Sequence, residues 1–182
     1  MMKNTINSLS SLPKYFIGFV GTLIFRLLSP LFGLWNISPL MATELTGSKA
    51  YGPVVGGLYG ALSMVFVDLI MGKVGVWTLV TSLTYGAVGV LGAIYLKNRK
   101  ADAKNFVIIS IIGTLFFDLI TGVLMGPLMF GGSFLAAAIG QIPFTLRHLA
   151  GNVFFAAVLA PWFYKKIMTN PKLEATYLFK LA

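Results

Sequence analysis

The sequence contains no cysteine and very few acidic residues. Without cysteine, disulfide bonds, thiol catalysis and cysteine-based metal sites are excluded. Asp and Glu together number 5 in 182 residues, against 14 Lys and Arg, so the formal net charge is +9. Only 10% of the residues are charged, which is far less than a soluble domain of this length uses to cover its surface.

Hydrophobic residues are abundant instead, at 57% of the chain, and the mean hydropathy is +0.86. A transmembrane helix takes about 20 apolar residues, so the chain has room for about six spans joined by short loops. The sequence therefore predicts an all-α polytopic membrane protein, a bundle of about six transmembrane helices with one of them short, in a single domain over residues 1–182. We expect no soluble catalytic domain and no enzyme activity.

Apolar runs define the individual helices. Residues 38–50 are too short to cross at full thickness and include Glu44, so we expect a short or broken helix there, which membranes tolerate where protein surrounds it. Residues 130–142 are expected to lead through Pro143 into the last span, which ends near Tyr164. The other predicted spans are 15–35, 53–70, 77–96 and 106–125.

Basic residues cluster where the apolar runs end. Four of them lie between residues 97 and 104, and Lys165 and Lys166 follow the last run. The positive-inside rule assigns such clusters to the cytoplasm. We therefore expect both termini to be cytoplasmic, with a short segment before residue 14 and a tail over 166–182. This distribution explains the net charge by contact with a membrane, and we expect no nucleic-acid partner.

Polar residues inside the apolar runs are the main functional signal. A charge at the bilayer centre costs about 3 kcal/mol or more, so such residues face away from lipid and are usually functional. With the expected topology, polar and aromatic side chains of several helices converge near the extracellular side, while the inner half is apolar. The predicted substrate-binding residues are Asp68, Asp118, Arg147, His148 and Asn152, with Trp77, Gln141 and Asn36 at the rim.

These residues also have structural interpretations. Asp68 and Asp118 alternatively form an ion-pair layer with the basic residues of the last span. A metal site built from His148 and the two aspartates is a further alternative, although we expect neither a metal nor a cofactor. Arg26 is expected to extend toward an interface or to pair with Glu44.

A short sequence motif occurs in two of the predicted spans. The pattern Asp-Leu-Ile-x-Gly occurs at 68–72 and again at 118–122. Both copies end a helix that runs outward, so they are either parallel internal repeats, as transporters contain, or a chance match. The many small residues spaced by three or four are expected to pack helices together.

Some of these segments resemble a known family. Residues 52–60 (GPVVGGLYG), which follow the short segment 38–42 (SPLMA), are similar to the substrate-binding S components of energy-coupling factor (ECF) transporters. The segment 140–152, which opens with GQIPF and closes with Asn152, resembles the last helix of that family. The first helix departs from the family's Ala-x-x-x-Ala pattern, because it has Gly18, Gly21 and Thr22 instead.

The resemblance implies a function that composition alone does not show. An S component captures a vitamin or related micronutrient at the extracellular side of a prokaryotic plasma membrane. It then associates with a transmembrane coupling protein and two cytoplasmic ATPases of an ABC-type importer. This chain has no Walker motif, as expected where the ATPases are separate chains. The second hypothesis is a stand-alone secondary transporter or small oligomeric channel, and the third is a membrane enzyme or assembly factor.

Overall fold

A computed structural model of the chain describes residues 11–34 and 36–178. The regular structure of these residues is entirely helical, which confirms the predicted all-α class. Trp35, at the end of the first predicted span, and the outermost residues of both predicted terminal segments lie outside the described residues. The helices are α1 (Leu12–Leu28), α2 (Leu40–Tyr51), α3 (Pro53–Ile70), α4 (Val76–Leu96), α5 (Ala103–Asp118), α6 (Gly126–Phe130), α7 (Phe134–Phe163) and α8 (Ala175–Leu178).

Five helical regions of the described chain are long and apolar enough to cross a membrane. They include α1, α3, α4, α5 and α7, the last two extended by the π-helical segments Leu119–Met125 and Tyr164–Met168. Large apolar side chains on their outer faces are exposed, for example Leu79, Leu83 and Ile94 of α4. Lipid tails would cover such faces, so the arrangement is that of a multi-pass membrane protein.

The short helix α2 lies at the centre of the bundle. It packs against each of the five long helices, and every residue from Leu40 to Ser48 is buried. Its 12 residues make it about 18 Å long, whereas the 21 residues of α4 span about 31 Å. The short helix predicted over 38–50 is therefore present as α2, and it leaves space in the bundle near its N-terminal end.

Glycines bring α3 and α4 together around the centre of α2. A Cβ atom on Gly89 of α4 would meet the backbone oxygen of Gly56 on α3, and one on Gly60 would lie 2.8 Å from the backbone oxygen of Tyr85. The backbones are thus in direct contact, which only residues without a side chain allow. This confirms the predicted packing role for these glycines.

One end of the bundle carries the two clusters of basic residues, and we call it the basic end. Lys49, near the end of α2, donates hydrogen bonds to the backbone oxygens of Leu96 and Arg99, both at 2.7 Å. Lys14 at the start of α1 bonds the Met168 oxygen at 3.2 Å and the Glu174 carboxylate at 3.0 Å. These bonds satisfy carbonyls that helix ends leave without partners.

The last long helix differs from the prediction. Residues 130–142 were expected to form a segment that leads through Pro143 into the last span, with Arg147 and His148 at the start of that span. Instead α7 is continuous from Phe134 to Phe163, with Pro143 and Pro161 inside it. Proline lacks an amide donor and usually ends or kinks a helix, but lipid-embedded helices tolerate it where neighbours compensate. Arg147 and His148 consequently lie near the middle of α7.

Candidate functional site

A chamber with two lobes lies at the end of the bundle opposite the basic end. The lobes have volumes of about 280 and 320 Å³ and share Arg26, Asn36, Asp68, Phe117 and Phe144 in their walls. We name them the lysine lobe and the tryptophan lobe, after Lys73 in the first and Trp77 in the second. Each volume is near the lower limit for small-molecule sites.

The chamber exists because several chain segments end or change course around it. Pro30 and Ser38, in the stretch between α1 and α2, line the lysine lobe. Asn36 in the same stretch has a backbone φ of 62°, a left-handed conformation that asparagine adopts more readily than most residues. The π-helical segment Leu119–Met125 contributes Thr121 and Gly122 to the tryptophan lobe, and such segments occur frequently at functional sites.

Asp68 lines both lobes from the last turn of α3. One of its carboxylate oxygens accepts a hydrogen bond from the Thr78 hydroxyl at 2.7 Å, and that hydroxyl in turn accepts one from the Gly75 amide at 3.1 Å. Asp68 thus belongs to the chamber wall, as predicted, and it also joins α3 to the start of α4.

Asp118 and His148 form a buried pair. The Asp118 carboxylate and the His148 Nδ1 lie 2.8 Å apart, and the two residues are only 2% and 6% exposed. The ring of His148 makes edge contacts with Phe117 and Phe144 and lines the lysine lobe. Asp118 does not line either lobe, so its role there is to orient the imidazole.

Asn152 and Arg147 do not join the chamber. Asn152 is buried beneath it and donates to the Thr114 hydroxyl at 2.9 Å. Arg147 is exposed on the outside of α7 and lines neither lobe. Of the alternative ion-pair layer, the pair of Asp118 with His148 is present, whereas Asp68 and Arg147 form no ion pair within the described residues.

The predicted rim residues do line the chamber. Asn36 contributes to both lobes, and Trp77 and Gln141 contribute to the tryptophan lobe. Trp77 also packs on Phe130, with ring centroids 5.6 Å apart. Gln141 lies against Gly122, where an added Cβ would meet its amide group. The structure therefore brings together Asp68, His148, Trp77, Gln141 and Asn36 from the predicted set.

Sequence reasoning missed the chamber's cations. Arg26, expected at an interface or paired with Glu44, lines both lobes and forms no ion pair within the described residues. Lys73, in the loop after α3, lines the lysine lobe. The available signal was Arg26 itself, an arginine inside an apolar run, because an intramembrane charge points to a functional site.

Aromatic rings and hydroxyl groups complete the walls. Phe117 and Phe144 lie between the lobes, and Tyr85 closes the lysine lobe and packs on Phe117 with centroids 4.5 Å apart. The hydroxyls of Ser29, Thr81 and Thr121 all donate to helix carbonyls. The walls therefore combine aromatic rings with hydroxyl groups whose protons are directed to helix carbonyls.

Metal binding has little support in the described residues, where no group of three or more His, Cys, Asp or Glu side chains is close enough to hold an ion. Asp68 and the Asp118–His148 pair therefore do not combine into the alternative metal site. A single carboxylate–imidazole pair supplies fewer ligands than the metal centres of proteins use.

Glu44 is the most deeply buried acid of the bundle and lies away from both lobes. It is 0% exposed, and neither carboxylate oxygen has a hydrogen-bond partner within the described residues. Its carboxyl group occupies the narrow space between Gly60 of α3 and Gly89 of α4. The expected pair with Arg26 is not formed.

The chamber lies at one end of the bundle. Toward the basic end, Met41, Leu45, Val88 and Phe106 belong to the buried apolar core, and Ser110 and Thr114 are buried among them. Comparison of the chain with protein-family models, with curated proteins and with solved structures gives no match.

Proposed function

We propose that this protein captures a small solute from outside the cell and delivers it to a separate ATP-driven importer module. The observation that carries the proposal is the two-lobed chamber at one end of the bundle, whose walls adjoin the buried core around α2 through Met64, Tyr85 and Phe117. The opposite end carries the basic clusters, so the positive-inside rule turns the chamber toward the outside. A chamber confined to one end of the bundle supports capture of a solute from that side.

The proposed class is the S component of an ECF-type transporter, acting in a prokaryotic plasma membrane with both termini in the cytoplasm. The short buried α2 among five long helices supports it, together with the sequence resemblance. In this class the solute is a vitamin or related micronutrient, and the partners are a transmembrane coupling protein and two cytoplasmic ATPases. The protein itself performs no reaction.

The decisive experiment is purification of the tagged protein from its native membranes in mild detergent, with mass spectrometry of all retained proteins and small molecules. We expect a membrane coupling protein and two ATPases to copurify, together with a small molecule. A tagged polytopic protein of unrelated function from the same membranes is the control. Recovery of the chain alone, as a defined oligomer, would contradict the importer assignment.

A stand-alone secondary transporter is the second candidate, and Glu44 is the observation that favours it. A buried, unpartnered carboxyl group inside a membrane bundle is a typical proton-carrying residue of such proteins. This candidate predicts solute accumulation in liposomes that contain this chain only, driven by a proton gradient and lost in Glu44→Gln. The importer assignment predicts no accumulation until the partner subunits and ATP are supplied.

A further inference from the structure

The chamber walls carry more positive than negative charge. Arg26 and Lys73 are the cations of the walls, and Asp68 is their carboxylate. The guanidinium of Arg26 interacts with the Tyr85 hydroxyl but has no carboxylate within ion-pair distance in the described structure. Since a guanidinium offers five N–H donors, most of its donors are available to a ligand.

The acids near the chamber are already engaged. Asp68 accepts the Thr78 hydroxyl proton at 2.7 Å, and Asp118 is paired with His148 at 2.8 Å. Neither acid forms an ion pair with Arg26 within the described residues. The walls of the two lobes therefore hold two cations against the single carboxylate of Asp68, and this excess of positive charge favours an anionic solute over a cationic one.

The two lobes differ in chemistry. The lysine lobe has Lys73, Arg26 and His148 in its walls. The tryptophan lobe has neutral polar groups, among them Thr81, Thr121 and Gln141, around the ring of Trp77. Phe117 and Phe144 belong to both lobes, so a planar ring between them would leave one side of the solute in each lobe.

We propose that the solute is an aromatic or heteroaromatic anion whose carboxylate or phosphate binds Arg26. This inference rests on the proposed capture function and names its substrate class. The fork of a guanidinium matches the two oxygens of a carboxylate or phosphate, and Lys73 adds a second positive charge in the lysine lobe. The solute's ring lies between Phe117 and Phe144. The polar edge of that ring, which carries its hydrogen-bonding groups, lies in the tryptophan lobe.

The test compares matched acids and neutral analogues on the purified, detergent-solubilised chain. The probes are pyridine-3-carboxylate with its amide, pterin-6-carboxylate with its amide, and pyridoxal phosphate with pyridoxal. Binding is followed by the shift in melting temperature and by the fluorescence of Trp77, in a variant with Trp35→Phe and Trp162→Phe. The same titrations are repeated on Arg26→Gln and on Lys100→Gln, a matched charge removal at the exposed basic end.

We expect at least one acid to bind about tenfold to a hundredfold more tightly than its neutral analogue, because charge-assisted hydrogen bonds to an arginine are strong. Arg26→Gln should remove that preference, whereas Lys100→Gln should retain it. If Arg26→Gln does not fold, the acid-against-amide comparison on the unchanged chain still decides the question.

Two results would overturn the inference and leave the capture function intact. One is equal binding of an acid and its neutral analogue, with no effect of Arg26→Gln. The other is copurification of a neutral or cationic solute, or of an anionic phospholipid in place of a soluble aromatic. If no probe binds and no small molecule copurifies with the chain, the capture function itself is contradicted, and the inference falls with it.

Discussion

At the scale of single residues, two buried carboxyl groups have different surroundings. Asp118 has a partner, because His148 lies 2.8 Å away. Glu44 has none within the described residues, and it is wedged between glycines of two helices. Burying an unpaired charge in an apolar interior is far costlier than burying a neutral polar group. The surroundings of Glu44 therefore accommodate a side chain that has the same shape as glutamate and carries no charge.

This difference predicts that Glu44→Gln folds normally. Glutamine has nearly the same volume and no charge, so we expect the free energy of unfolding to change by less than about 1 kcal/mol. Glu44→Lys should fail to fold, because the space between the glycines accommodates neither the longer chain nor its charge. Denaturant titration in detergent, followed by circular dichroism, measures both. Unfolding of Glu44→Gln would reveal that the negative charge is needed.

The site was predictable from the sequence where a polar residue interrupts an apolar run near a helix end. Asp68 and Asn36 satisfy that rule and line the chamber, as does the aromatic residue Trp77 at the start of α4. The rule fails for Arg147, because it does not show which side of a helix faces inward, and Arg147 lies on the outer face of α7. The role of Arg26 depends on the stretch between α1 and α2, whose course no periodicity encodes.

At the scale of helices, the contact between α3 and α4 depends on glycines that lie at the same level along the two helix axes. Gly56 of α3 faces Gly89 of α4, and the Glu44 carboxyl group of α2 reaches between Gly60 and Gly89. Three helices therefore meet where their glycines leave space. Association of helices in lipid relies on such close packing, since no hydrophobic effect separates helices from lipid tails.

Gly89→Ala should destabilise the bundle by about 1–3 kcal/mol, because the added methyl group meets the Gly56 backbone oxygen and the Glu44 carboxyl group and forces the helices apart. Gly140→Ala in α7 is the matched control, since a Cβ atom there has nothing within 4 Å. It should change stability by less than about 0.5 kcal/mol or raise it slightly. Thermal unfolding in detergent compares the two, and equal effects would contradict direct backbone contact.

The Asp-Leu-Ile-x-Gly motif shows what a short pattern can and cannot predict about a helix. Both copies do lie at the chamber end of the bundle, as expected from two helices of the same direction. Yet the chain after Asp68 leaves α3 within a few residues, whereas the chain after Asp118 continues as a π-helix over Leu119–Met125. Tertiary packing decides this difference, and whether the copies are true repeats stays a prediction.

At the scale of the whole molecule, the beginning and end of the described chain are joined at the basic end. The Met168 backbone oxygen accepts from Lys14 of α1 at 3.2 Å and from Tyr51 of α2 at 3.0 Å. Lys14 is almost completely buried there and also pairs with Glu174. One carbonyl thus connects three parts of the chain that are far apart in sequence.

Either the Lys14 ammonium or the Tyr51 hydroxyl alone satisfies the Met168 carbonyl. Removing both donors should therefore lower the free energy of unfolding by more than the sum of the two single removals. We expect Lys14→Met and Tyr51→Phe each to lower the free energy of unfolding by about 1 kcal/mol. The double variant should lose about 1 kcal/mol beyond their sum, because a buried carbonyl is left without a partner. A double-mutant cycle by denaturant titration measures this excess, with Lys100→Gln, an exposed charge removal outside the cluster, as the control. Simple additivity would show that water replaces the donors.

The overall architecture was largely predictable, because length and hydropathy set the number and order of apolar helices. The prediction failed for α7, where Pro143 was taken as a boundary although the helix passes through it. Local proline preferences are overridden when a helix is embedded among others. The chamber itself follows from a difference in helix length that only the assembled bundle makes visible.

The small size and polar content of α2 also bear on how the protein enters its membrane. A segment of only 12 residues with Glu44 near its centre is a poor substrate for the translocon, since a charged residue near the helix centre opposes insertion by about 3 kcal/mol. It is synthesised before α3 and α4, whose glycines later surround it. The nascent chain must therefore hold α2 at the membrane surface or within the insertion machinery until those helices arrive, so that the final crossing pattern is reached only after synthesis of α4.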